Sequence, residues 1–297
     1  MHLFPKLILA TLALTISGTA IAQSDDAEQL KIAALEALVS APDEKALPIV
    51  SKVLAGDHSD EVKSRALFVL SQIDLPESQA ILLDTARTAE GDLKHQAIRM
   101  IGIGGNPDAL KGLAEIYSNG DANTKESVLH AYMISDDVDS VYALAASAVS
   151  DEEFESAVHT LGVMGATDRL RSLPDRPGAS ESIIHALAIA GDYEGLRAYA
   201  VDASNPERQL EAIHGLGIVG GEEVGPTLIE IYRGTDNNDV REAALHGLFV
   251  ADHDTLVLEL FRESTNSEEK ADLLRILVMM DSDAAIEAID AALAGGP

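Results

Sequence analysis

The residues best placed to do chemistry are histidines. Nine short stretches of the chain follow one phrase, and its clearest copy is Val240-Arg-Glu-Ala-Ala-Leu-His-Gly-Leu248. With Val240 as position 1, position 7 falls at Glu36, Phe68, Arg99, His130, His159, His185, His214, His246 and Arg275. Five consecutive copies therefore carry histidine at one place. Position 3 lies one helical turn earlier and on the same side. It supplies Glu126, Glu155, Glu181 and Glu242, so four copies present a Glu–His pair at i, i+4. Such neighbours can touch. A carboxylate beside an imidazole favours the charged ring and tends to raise its pKa.

Three uses of this column compete. The first is a solvated face with weak local ion pairs, each contributing about 0–1 kcal/mol. The second is a groove that docks a protein or peptide partner, with Glu126, His130, Glu155, His159, Glu181, His185, His214, Glu242 and His246 as the binding residues. The third is metal binding, for which Glu155, His159, Glu181 and His185 are the candidates. One helical Glu–His pair gives only two ligands, whereas a zinc site needs three or four protein ligands. Neighbouring packed helices stand about 8–10 Å apart, so pairs on adjacent helices meet one ion only if their side chains bend inward together. The docking surface is the expected use. Because histidine changes charge near pH 6.5, acidification is expected to modulate it.

The phrase must be carried by helices. Apolar residues at positions 1, 5, 6 and 9 make a stripe of period 3.6. Position 7 lies about 200° from positions 5 and 9 and so faces away from the core. A second apolar stretch follows each phrase after a Gly, Asn or Asp turn, as at Asp108–Tyr117, Asp192–Ala200, Val224–Tyr232 and Asp254–Phe261. Each unit is then a helical hairpin of about thirty residues, and stacked hairpins bury stripes that one hairpin cannot. A globular helical bundle is the alternative, disfavoured by nine phrases in step. The segment Gly104–Tyr132 also resembles Gly220–Leu248, which suggests a duplicated block.

In these residues (Val240-Arg241, Ala243-Ala244, Leu248, and the Leu-Gly endings at 161–162 and 216–217) the chain resembles the HEAT-repeat family, especially its short bacterial variety related to phycobilisome lyases. The resemblance covers nearly all of residues 25–294. It implies an all-α solenoid of about nine hairpins, wound as a right-handed superhelix with the phrase helix on the concave side. It does not bring an activity with it. Deoxyhypusine hydroxylase, a HEAT array, binds two irons through adjacent His-Glu pairs; here only His95 stands at position 3 as histidine, Gln96 follows it, and no His-Glu dipeptide occurs in the chain.

Composition narrows the rest. The chain has 297 residues, 50 acidic against 21 basic side chains, a net charge of −29, and no cysteine. Thiolate zinc sites, cysteine nucleophiles and disulfides are excluded. So much negative charge disfavours nucleic acid and anionic membrane surfaces. Phosphate loops, nucleophile elbows and zinc-protease helices are absent. No catalytic residue and no cofactor are expected. The Asp-rich runs at Asp136–Asp139 and Thr235–Asp239 lack the calcium-loop pattern and are expected to be turns that start helices. Gly102–Gly105 and Gly220-Gly221 are expected to end helices. His58 and His253 are expected in solvated turns.

Residues 1–22 look like an export address. Met1–Lys6 carries one positive charge, Leu7–Ile16 is apolar but too short to span a bilayer, and Ala20-Ile21-Ala22 fits signal-peptidase cleavage. A buried N-terminal helix is the alternative. Cleavage after Ala22 leaves a single repeat array over 23–297, with 20 basic and 50 acidic residues, bound for the periplasm as a monomer. A partner with a basic or mixed surface is expected. In the middle of the chain, Pro174 and Pro177 interrupt a second helix, so a kink or loop is expected over 172–180. Arg169, Arg171 and Arg176 nearby are expected to be plain surface charge.

Overall fold

The computed structural model describes residues 15–174, 176, 178–282, 286, 289 and 290, with side chains described from residue 26 on. Residues 1–14 of the expected export address over 1–22, and Pro177 of the expected loop, lie outside the described residues. All the regular structure among the described residues is α-helical.

Contacts divide the chain into two units, 1–136 and 137–297. The first holds α1 (Thr15–Leu38), α2 (Asp43–Ala55), α3 (Asp60–Ser71), α4 (Pro76–Thr88), α5 (Gly91–Gly104), α6 (Pro107–Asn119) and α7 (Ala122–Ile134). The second holds α8 (Val138–Ser147), α9 (Asp151–Val163), α10 (Thr167–Arg171), α11 (Ser180–Ile189), α12 (Tyr193–Ala200), α13 (Pro206–Val219), α14 (Val224–Gly234), α15 (Asn238–Val250), α16 (Asp254–Glu263) and α17 (Ser267–Met279). Every phrase of the repeat lies on an odd-numbered helix. The expected cleavage point after Ala22 falls within the backbone of α1.

Within each unit the odd helices pack side by side: α1 on α3, α3 on α5 and α5 on α7 in the first; α9 on α11, α11 on α13 and α13 on α15 in the second. Even helices pack against the odd helix before or after them. Each unit is a stack of helical hairpins, with an apolar layer between first and second helices. Positions 5, 6 and 9 fill it. Ala66, Leu67 and Leu70 of α3, Ala97, Ile98 and Ile101 of α5, and Ala212, Ile213 and Leu216 of α13 are all fully buried.

Short polar caps set the turns. Ser59, Asn106, Asp121, Asp137, Ser150, Asn205, Asn237 and Asn266 each accept a backbone N–H in the first turn of the helix that follows, satisfying donors that have no intrahelical partner. The Asp-rich runs thus start helices. Asp136, at φ 56°, and Gly105, at φ 60°, take the left-handed conformation that ends the helix before them.

Gly102 does not end a helix. It is buried inside α5, where an added Cβ would lie 2.7 Å from the Ala131 carbonyl oxygen of α7. The same contact recurs in the second unit. A Cβ on Gly162 would meet the Ala186 carbonyl at 2.8 Å, and one on Gly217 would meet the Gly247 Cα at 2.9 Å. So position 10 of one unit touches position 8 of the next, and small residues there bring successive first helices close together.

The hairpin around Pro174 is irregular. α10 stops after five residues, and the chain returns to helix only at Ser180. The nearby arginines are not loose surface charge. Arg169 pairs with Asp139 and lies over Tyr142, Arg176 pairs with Asp151 and lies over Phe154, and Arg171 makes two hydrogen bonds to Asp192. These ties to α8, α9 and α12 hold the shortened hairpin in the stack.

Candidate functional site

Position 7 is exposed in all nine units, at Glu36, Phe68, Arg99, His130, His159, His185, His214, His246 and Arg275. The helical period explains this, because the residues on either side at positions 5, 6, 8 and 9 turn toward the core or the neighbouring first helix. In the first unit the row reads Glu36, Phe68, Arg99, His130. There Arg65 pairs with Glu36 at 3.2 Å and lies 5.7 Å above the Phe68 ring. In the second unit the row is four imidazoles on four successively packed helices, α9, α11, α13 and α15. His214 and His246 touch, ring centroids 6.0 Å apart and planes 84° from each other. His246 also lies 6.2 Å from the Phe249 ring.

The flanking acids sit where the spacing puts them. Glu126, Glu155, Glu181 and Glu242 are all exposed on the same helices as their histidines. These neighbours do not form ion pairs: in none of the four pairs does a carboxylate oxygen come within 4.0 Å of its imidazole. Long exposed side chains gain little from such a bond in water and lose rotamer freedom in making it. Glu155, Glu181 and Glu242 also find no arginine or lysine. Among the described residues no three His, Asp or Glu side chains converge as a metal site would require. His159, His185, Glu155 and Glu181 are therefore not gathered into a ligand set.

The two turn histidines are less solvated than expected. His253 is half-buried and its Nε2 lies 3.1 Å from the Gly221 carbonyl oxygen. His58 is half-buried, packed beside Gly56, with Nδ1 enclosed.

Two sets of residues were not apparent in the phrase. The first is position 11, one turn beyond position 7 on the same side. It carries exposed aliphatic side chains at Ile103, Ile134, Val163, Ile189, Ile218, Val250 and Met279. Extending the nine-residue phrase by two residues reveals the row in the sequence. The second set ties even helices together. Arg87 of α4 reaches Glu115 of α6 at 2.6 Å, Arg197 of α12 reaches Glu230 of α14 at 3.9 Å, and Arg233 of α14 reaches Glu263 of α16 at 2.5 Å. These partners are one repeat apart, so no local spacing announces them.

Two internal carboxylates are held in their charged form by the bonds they accept. Burial opposes ionisation of Asp192, but the Arg171 hydrogen bonds and the Gly195 amide hold its carboxyl below the usual range. Glu269 accepts from Ser264 at 2.5 Å, from Tyr232 at 2.5 Å, and from Arg241. Those bonds, with Ser264 first, outweigh burial and lower its pKa. Both are structural clamps: the first joins α10 to α12, the second α14 and α15 to α17.

Residues 19–98 match the family model described as HEAT repeats. That part of the chain belongs to the HEAT-repeat family, and the later first helices carry the same positions to the same environments. No curated protein matches the chain. Among solved structures it is similar to human deoxyhypusine hydroxylase in complex with glycerol, with 17% identity and a TM-score of 0.34, over 80% of this chain and 99% of that one. It is also similar to the CpcE–CpcF complex of phycocyanin lyase from Nostoc sp., with 13% identity and a TM-score of 0.30, over 78% of this chain and 93% of that one. The protein is a HEAT-type helical scaffold, a class that typically binds other proteins.

Proposed function

We propose that the chain is an exported, periplasmic protein-binding scaffold that docks its partner on the position-7 side of its first helices. One observation carries this reading. In the second unit, four successively packed helices present exposed imidazoles at one position, and on three of them Glu155, Glu181 or Glu242 stands one turn earlier with no arginine or lysine partner among the described residues. An exposed row of unpaired acids on a rigid stack is a surface that a basic or mixed partner completes. The scaffold has no catalytic role in this reading. No helix among the described residues is long and apolar enough to cross a membrane.

The histidines add a dependence on pH. Imidazoles change charge between about pH 5 and 8. Protonation of His159, His185, His214 and His246 offsets the negative charge of the flanking glutamates and weakens binding of a basic partner. The alternative, a metal-binding protein or metal-dependent enzyme using the i, i+4 Glu–His pairs, finds no third ligand beside either candidate pair among the described residues.

Photo-cross-linking tests the proposal. A photoreactive residue at position 185 or 214 is expected to capture a defined envelope protein, and alanine at all five histidine positions is expected to abolish capture from a nearby site. Capture only from position 197 or 233, on the even helices, overturns it. Tight stoichiometric zinc or iron binding that is lost in His159→Ala/His185→Ala would favour the metal alternative instead.

A further inference from the structure

The docking face of the second unit has three parallel rows. On its four successively packed first helices, α9, α11, α13 and α15, position 3 carries Glu155, Glu181, Leu210 and Glu242, position 7 is imidazole, and position 11 is aliphatic; on α17 the three positions hold Ala271, Arg275 and Met279. The aliphatic row comprises Val163, Ile189, Ile218, Val250 and Met279, exposed by 51, 41, 72, 45 and 68%. Four of the five are the last residue of their helix, and Ile218 is the last but one. An isolated exposed aliphatic residue is ordinary. Four of these, Val163, Ile189, Ile218 and Val250, stand at one repeat position on α9, α11, α13 and α15, which pack in succession, and form an apolar edge.

Charge decides what covers it. Residues 137–297 hold 31 acidic and 10 basic side chains. The cations are largely spent inside the fold: Arg169, Arg171, Arg176, Arg197, Arg233 and Arg241 each bind a carboxylate away from the three rows. Glu155, Glu181 and Glu242 are left without an arginine or lysine partner among the described residues. A second copy of this acidic chain would bring like charge to it, and an anionic lipid surface or nucleic acid would be repelled.

Spacing decides the form. From position 3 to position 11 is eight residues, about 12 Å along the helix, which matches the 10–12 Å width of an α-helix with its side chains. Adjacent first helices stand about 8–10 Å apart. A helix laid across them repeats its surface every seven residues, about 10.5 Å. An extended strand repeats one face every 7 Å or so and falls out of step within two or three units.

From these matches we infer that the second unit receives a basic amphipathic helix from its partner. Lysine or arginine along one flank meets Glu155, Glu181 and Glu242. Leucine-type side chains at heptad spacing along the other flank cover Val163, Ile189, Ile218 and Val250. The inference rests on the docking reading above and supplies the partner's chemistry.

Fluorescence anisotropy with the full chain tests it, using a synthetic Leu/Lys peptide of about 24 residues patterned in heptads. A scrambled peptide of the same composition is the control. The patterned peptide is expected to bind at least tenfold more tightly and to become helical on binding by circular dichroism. Ile189→Ser/Ile218→Ser is expected to weaken it about tenfold. Glu155→Gln/Glu181→Gln/Glu242→Gln is expected to weaken it and flatten its salt dependence. All these side chains are exposed, and unchanged thermal unfolding confirms that the variants fold. Equal binding of both peptides, or silence of both variant sets, overturns the inference. So does concentration-dependent dimerisation that Ile218→Ser abolishes, because the occupant is then a second copy. If cross-linking at 185 and 214 captures a partner while the patterned peptide fails to bind, this inference alone falls. If nothing is captured there, the docking reading falls with it.

Discussion

The ring of His214 stands edge-on to the ring of His246, 6.0 Å between centroids, although they are 32 residues apart in the chain. The contact follows from the layer beneath. Gly217 of α13 lies so close to Gly247 of α15 that a Cβ would fall 2.9 Å from the opposing Cα. That approach brings position 7 of one helix beside position 7 of the next. The His214–His246 contact is thus the outer face of a glycine contact.

The glycine contact makes the first prediction. Gly217→Ala adds a methyl group against backbone that has little room to yield, and is expected to destabilise the protein by about 1–3 kcal/mol despite alanine's better helix propensity. Gly234→Ala, where nothing lies within 4 Å of the added Cβ, is expected to be neutral or slightly stabilising. Urea denaturation of the two variants checks the contrast.

The row itself should cost nothing to remove. Alanine at His130, His159, His185, His214 and His246 touches no buried contact, so each change is expected to stay within about 0.5 kcal/mol of the parent. Thermal unfolding measures this. A larger loss at any one position would mean that the imidazole supports the fold.

Asp192 predicts a pH dependence of stability. Its carboxyl titrates lower in the folded chain than in the unfolded one, where an aspartate titrates near about 3.9. Its stabilising contribution is therefore complete above that pH and is lost as pH falls through the lower folded value. Asp192→Asn is expected to cost about 1–3 kcal/mol at neutral pH. The gap between variant and parent should close well below pH 4, which urea titrations across pH would show.

The arginine ties on the even helices should be weak. Arg233→Ala breaks an ion pair whose two side chains are 48 and 60% exposed, so a loss of less than about 1 kcal/mol is expected. Partner binding should be unaffected. A strong binding defect would move the docking surface to the even helices.

Much of the fold was legible because its determinants are local and repeated. Positions 5, 6 and 9 carry Ala97, Ile98 and Ile101 in one unit and Ala212, Ile213 and Leu216 in another, and both sets are buried as the period requires. The exposure of His159 and His185 follows from the same geometry. What spacing could not show was whether exposed neighbours bond. Glu155 and His159 share a face yet stay apart, since water competes for both groups. Nor did composition show that Arg171 would hold Asp192, because a broken hairpin brings them together across 21 residues. Gly102 resembled a helix end because glycine serves both turns and close packing. Only the nearness of Ala131 distinguishes the two roles.

The most direct test follows the imidazole and methyl resonances of the full chain by NMR while bound partner or patterned peptide is titrated in. Shifts centred on His159, His185, His214 and His246, with the methyls of Val163, Ile189, Ile218 and Val250, are the expected result. Shifts confined to the even helices around Arg197 and Arg233, with the imidazoles unmoved, would contradict it.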